Sequence, residues 1–189
     1  MTSALIATLG VASLRNSRRA GHSLTEQADH ASAAVSGHTP AKGAFLTAVL
    51  GRLDLQTGTC ALVNAGHVPP ILIRDGEPGE LTLPRNFALG MFPGTRARAG
   101  SVTLQPGDRL VIVTDGMRER EAAALDLTAE LRSLTALHPR EAARSLAVAG
   151  PALQDDATLL IIDWHGRHDL SRRASAGADV SAATSADRR

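Results

Sequence analysis

Apolar residues along the first third of the chain recur with a helical period. From Thr2 to Arg19 the positions Leu5, Ile6, Leu9, Ala12 and Leu14 share one face. Arg15, Arg18 and Arg19 collect at the C-terminal end, where the helix dipole favours cations, and Gly21 is placed to stop the helix. A second helix is predicted to open at Ser23, with Glu26 three residues on completing a capping box, and to run to about Val35. Two successive helices imply a helical layer.

The pattern changes after Gly43 to short runs of branched apolar residues separated by turn residues. Strands are predicted over Phe45 to Leu55, Thr59 to Val63, Pro70 to Ile73, Glu80 to Leu83, Ala97 to Leu104 and Arg109 to Thr114. Gln56-Thr57-Gly58 and Asp75-Gly76 read as hairpin turns, and Pro106-Gly107 as the turn between the last two strands. Segments this close together leave no room for crossover helices, so the sheet should be mainly antiparallel. Helical signals return over Leu125 to Leu134 and from Pro139, a residue suited to the first helical position, to Val148. A last strand, Ala157 to Trp164, closes the domain. Residues 166–189 carry only Leu170 and Val180 as large apolar side chains, too few to offset the entropy of ordering, so a disordered tail is expected.

Composition narrows the class. With 189 residues, 43% of them apolar, one domain with one sizeable core is the natural reading. A formal charge of +1 offers neither a nucleic-acid stripe nor a polybasic membrane arm. No continuous apolar stretch reaches the length of a membrane span. The single cysteine, Cys60, excludes an internal disulfide and fits a reducing compartment, so a cytoplasmic protein is expected. Cys60 lies in a predicted strand and reads as a packing residue.

Three constellations carry candidate chemistry. The apolar run Arg109 to Thr114 ends in Asp115-Gly116, which puts a carboxylate at a strand exit. Asp155-Asp156 stands just before the final strand, at its entrance. Should the two strands be neighbours, these carboxylates converge on one rim, a donor set suited to Mg2+ or Mn2+ and not to zinc. Each half alone also fits a solvated turn or cap. The third constellation is Asn64-Ala-Gly-His67-Val-Pro-Pro70, a polar kink between two strands. Its histidine is open to three readings: a general acid, a ligand, or a hydrogen-bonded residue that fixes the kink. No Gly-x-Ser-x-Gly elbow supports Ser-His-Asp hydrolysis.

Six segments in order resemble the metal-dependent PPM-type serine/threonine phosphatases, in the bacterial branch of stage II sporulation protein E. They are Phe45-Leu-Thr47, Val63-Asn-Ala-Gly-His67 with Pro69-Pro70, Leu89-Gly90, Leu104-Gln-Pro-Gly-Asp108-Arg-Leu, Thr114-Asp115-Gly116 with Glu119, and Asp155-Asp156-Ala-Thr158. The resemblance covers about residues 1–165, taken as a partial phosphatase domain. It implies an α+β fold, an αββα sandwich of two mainly antiparallel sheets flanked by helices. It implies hydrolysis of phosphoserine or phosphothreonine with two Mn2+ or Mg2+ ions sharing a bridging water. Asp115 and Asp155 would be metal ligands, with Asp156 the alternative should the alignment shift by one residue. His67 receives no settled catalytic role.

The same resemblance places further acidic ligands in a Gly-Gly-Asp and an Asp-x-x-Gly-x-Gly segment ahead of a helix like Thr2 to Ala7. Neither segment occurs in this sequence. An N-terminally truncated sandwich with impaired activity is therefore expected. The implied substrate is a phosphorylated regulatory protein of the anti-sigma-factor-antagonist type, with a sensor domain upstream in the same polypeptide. The competing expectation is a non-catalytic, phosphatase-like interaction module that regulates a partner-switching pathway.

Overall fold

The computed structural model describes residues 3–38, 44–114, 127–148 and 158–166. Helices α1 (Ser3–Arg19) and α2 (Leu24–His38) come first. Strands β1 (Ala48–Leu53), β2 (Thr59–Ala65), β3 (Ile71–Arg74), β4 (Glu77–Glu80), β5 (Gly100–Thr103) and β6 (Arg109–Val113) follow. Helices α3 (Leu127–Ser133) and α4 (Pro139–Val148) precede the last strand, β7 (Leu159–Asp163).

Local chemistry sets the helix ends. Gly21 adopts φ +81°, and the bonds from Gly21 N to Arg18 O and from His22 N to Ser17 O close α1 in a Schellman motif. Ser23 and Glu26 form the reciprocal capping box: Ser23 N donates to Glu26 Oε2 at 2.7 Å, and Glu26 N donates to Ser23 Oγ at 3.3 Å. Hydrogen bonds from the Ser23 side chain and backbone hold the Glu26 carboxyl below its ordinary range.

The strands make two antiparallel sheets, ordered β1-β2-β5 and β4-β3-β6-β7. Strand alternation loads both faces of the central strands. Cys60 and Leu62 of β2 meet Leu110 of β6 between the sheets. The opposite face of β2, through Val63 and Ala65, packs on Leu24, Ala28 and Ala31 of α2. The opposite face of β6, through Val111 and Val113, packs on Leu127, Leu131 and Leu146 of α3 and α4. The result is a four-layer αββα sandwich. Burial raises the pKa of the Cys60 thiol, which keeps it protonated and suits its packing role. Among the described residues no helix is long and apolar enough to cross a membrane.

Several expectations are corrected. The strand predicted over Glu80 to Leu83 lies instead at Glu77–Glu80, because the two-residue turn Asp75-Gly76, with both φ angles positive, sets the register Arg74↔Glu77. Pro78 is accommodated because β4 is an edge strand. Pro106-Gly107 is the turn between β5 and β6 as expected, but it joins strands that are not neighbours: β5 pairs with β2 and β6 with β3 and β7, so this connection crosses from one sheet to the other. Phe45 to Thr47 lie outside β1, where Leu46 makes an isolated bridge to Leu89. The tail beyond Gly166 lies outside the described residues.

Two part-buried ion pairs lock the end of the sandwich where β6 begins. Arg109 forks onto Asp163 of β7, with Nε to Oδ1 at 2.6 Å and Nη2 to Oδ2 at 2.9 Å, and also donates to the carbonyls of Leu134 and Leu137 beyond α3. Arg74 forks onto Asp108, whose Oδ2 also accepts Gln105 N at 2.7 Å. Burial alone would raise the Asp108 pKa, but the hydrogen bonds from Arg74 and Gln105 and the charge of Arg74 bring it below its ordinary value.

Asp163→Ala leaves the Arg109 guanidinium without its counter-charge and is expected to cost about 3–5 kcal/mol in urea unfolding; a loss near zero would show that the pair does not lock the sheet. For Asp108 the depressed folded pKa means stability that is full above the unfolded value and is lost as pH falls through the folded one. The stability gap between the native chain and Asp108→Asn should thus be constant near neutrality and shrink below a pH of about 4, as read from urea titrations over a pH series.

Candidate functional site

The sandwich has two unlike ends. At one, the β6–β7 ladder finishes with Val113↔Leu159, and one step further Thr114 faces Thr158. Thr114 N donates to Thr158 O at 3.0 Å, and Thr158 N donates to the Thr114 hydroxyl at 2.8 Å. This side-chain bond ends the ladder. Asp115 follows Thr114 in the sequence, and Asp155 and Asp156 precede Thr158 by three and two residues. All three carboxylates lie outside the described residues. Among the described residues no group of three His, Cys, Asp or Glu side chains could hold a metal ion.

The polar kink between β2 and β3 crosses from sheet to sheet at this same end. Val68 packs against the core cluster that contains Val111 and Val113, and Ile71 opposes Val111. Asn64 Oδ1 accepts His67 N at 2.9 Å, and the His67 Nδ1 lies 3.1 Å from Val68 O. Those bonds make His67 part of the kink's own hydrogen-bonding. Gly66 adopts φ +66° there, and a Cβ on it would lie 2.9 Å from Ala88 N. Glycine is required on both counts.

What presses on Gly66 is the β4–β5 connection, which the sequence marks only through Leu89-Gly90. Asn86 organises it: Nδ2 donates to the carbonyls of Asn64, Pro84 and Arg98, while Oδ1 accepts Arg98 N at 2.8 Å. Asn86 O in turn accepts Gly66 N. Helix α2 pins the rest of the loop, with Ser32 Oγ accepting Gly90 N at 3.0 Å and Asp29 Oδ1 accepting Ala97 N at 2.8 Å. Three sequence segments that look independent thus form one rim: the kink, the loop and the β6–β7 exit.

A cavity of about 910 Å³ lies at the opposite end, lined by Arg109, Asp163, Asp108, His138 and Trp164 among others. Its lining carries Asp75 together with Asp108, Arg109 and Asp163 of the two locking ion pairs. Away from both ends, the histidines that look scattered in sequence include a pair that meets: the rings of His22 and His30 stand edge to face, 4.6 Å apart, over the Ser17 hydroxyl.

With this geometry in place, comparison with known proteins is informative. The sequence model of the stage II sporulation protein E (SpoIIE) family matches residues 1–165. Protein IcfG of Synechocystis sp. is 25% identical over 93 residues, which is 49% of this chain and 15% of that protein. The structure of the RsbU and RsbW domains of Rv1364c from Mycobacterium tuberculosis superposes with a TM-score of 0.71 at 25% identity, over 84% of this chain and 47% of that one. The PPM Ser-Thr phosphatase MsPP from Mycobacterium smegmatis, in complex with cacodylate, gives 0.59 at 27% identity over 86% and 81%. The chain therefore spans under half of two of these relatives.

Gly66→Ala is expected to destabilise the rim by about 1–3 kcal/mol through left-handed strain and the approach to Ala88. Thermal melts of the two proteins check this, and an unchanged melting temperature would mean that the kink yields.

Proposed function

Because the chain belongs to the stage II sporulation protein E family, we propose that it is a PPM-type phosphatase domain acting on phosphoserine or phosphothreonine in a regulatory protein. The observation that carries this reading is the Thr114–Thr158 closure. It ties together the two strand ends from which Asp115 and the Asp155-Asp156 pair extend in sequence, and so supports their convergence.

In this reading Asp115 and Asp155, with Asp156 as the alternative to Asp155, hold Mn2+ or Mg2+ through hard carboxylate oxygens. When bound, such cations supply an activated water and neutralise phosphoryl charge. The chain's own contribution is positional. The Thr114–Thr158 bond fixes the spacing of the two strand ends beside which the carboxylates stand in sequence, and the Asn64–Asn86 network fixes the neighbouring wall.

Hydrolysis by these 189 residues alone is proposed to be slow. A bridging carboxylate in a Gly-Gly-Asp or Asp-x-x-Gly-x-Gly segment does not occur in this sequence, and losing one member of such a set costs on the order of 10^2-fold or more. The physiological substrate is proposed to be a phosphorylated anti-sigma-factor antagonist, the substrate type that the family resemblance implies.

The test is hydrolysis of p-nitrophenyl phosphate with and without Mn2+, beside Mn2+ binding followed by electron paramagnetic resonance. Slow, Mn2+-dependent turnover and Mn2+ binding, both lost in Asp115→Ala, are the expected result. Turnover indifferent to Mn2+ or to Asp115 overturns the assignment. Neither turnover nor Mn2+ binding would favour the non-catalytic interaction module.

A further inference from the structure

The chain has three phenylalanines, and all three are exposed: Phe45 by 48%, Phe87 by 57% and Phe92 by 48%. Residues this apolar normally fill a core, so a surface that exposes two of them in mutual contact calls for a partner. Phe87 and Phe92 stand edge to face with centroids 4.4 Å apart. Met91, 39% exposed, lies between them in sequence. Phe45 is carried by the strand segment bridged to the same loop at Leu46↔Leu89.

This surface is built, not loose. Ser32 accepts the backbone N–H of Gly90 between the two phenylalanines, and Asp29 and Asn86 accept those of Ala97 and Arg98 after them. A hollow of about 300 Å³ opens beside it, lined by Ser32, Ala65, Phe87, Leu89, Arg96 and Arg98. Such a hollow suits one inserted apolar side chain.

Charge selects the occupant. Residues 84–100 contain Arg85, Arg96 and Arg98 and no acidic residue. All three arginines are exposed. The nearby Asp29 partners Arg96 at 3.6 Å, which leaves a net positive rim. Phe, Met and Arg, without Lys, are the residue types enriched where proteins meet proteins. The same loop presses on the kink of the proposed catalytic rim.

We propose that the Phe87–Phe92 surface with its arginine rim docks an acidic, amphipathic segment of the protein partner, an apolar side chain entering the hollow and carboxylates meeting the arginines. Identifying that partner with the phosphoprotein substrate rests on the function proposed above; the docking surface itself does not.

The test uses the full chain and fluorescence anisotropy of a fluorescein-labelled helical peptide with Leu on one face and Glu on the other, beside its Lys-for-Glu counterpart. The Glu peptide should bind, more weakly as salt rises, and the Lys peptide should not. Phe87→Ala and Arg85→Glu should each weaken the Glu peptide about tenfold, with circular dichroism melts unchanged because both side chains are exposed. The double variant Arg85→Glu/Arg98→Glu should gain affinity for the Lys peptide, a reversal that damage to the fold would not produce.

Equal binding of both peptides, or indifference to these substitutions, overturns the proposal. So does capture by phosphatidylserine vesicles in place of the Glu peptide, which would make the surface a membrane contact. Sedimentation showing a dimer that Phe87→Ala dissociates would make it a self-interface. Peptide binding needs neither metal nor turnover, so it stands if p-nitrophenyl phosphate hydrolysis fails; hydrolysis without peptide binding removes the docking surface alone.

Discussion

The central strands of this protein are apolar on both faces, and that burden organises everything else. A sheet with one wet face could stop at two layers. Here Leu62 and Leu110 need a second sheet, while Val63 and Val111 each need helices on the far side. Four layers follow from two strands that cannot tolerate water on either side.

Stacking two sheets forces the chain to change sheets repeatedly, and the crossings are where polar chemistry gathers. The β2–β3 crossing is held by Asn64, the long β4–β5 return by Asn86, and the β5–β6 crossing by Asp108 with Arg74. Each supplies side-chain partners for backbone groups that no ladder satisfies. The two asparagines stand at the end bearing the proposed catalytic rim. The ion pairs stand at the other, so rigidity and the proposed chemistry are assigned to opposite ends of one sandwich.

Much of this is legible before any coordinates. Helical spacing locates α1 and α2, the Ser23–Glu26 box is seen as written, and Pro139 opens α4. Local turn chemistry is equally readable at Asp75-Gly76. What escapes are facts of partnership. Pro106-Gly107 has turn composition whether it joins neighbours in one sheet or spans two sheets, and only the pairing of β5 with β2 decides it. Asn86 has no local signal because its acceptors come from residues up to 22 positions away. The acidic motifs are visible in sequence by their strand-edge positions and by the resemblance, and the neighbouring Thr114–Thr158 bond is what coordinates add.

Trp164 has an optical consequence. It is the chain's one tryptophan, there is no tyrosine, and it is nearly buried at the end of β7. Its ring is close enough to the β1–β2 turn that a Cβ on Gly58 would lie 3.0 Å from the indole nitrogen. Ultraviolet emission from this protein therefore originates at one place, the seam where a hairpin of the first sheet meets the last strand of the second. It serves as a built-in gauge of whether the two sheets are closed on each other, read at the end remote from the proposed catalytic rim.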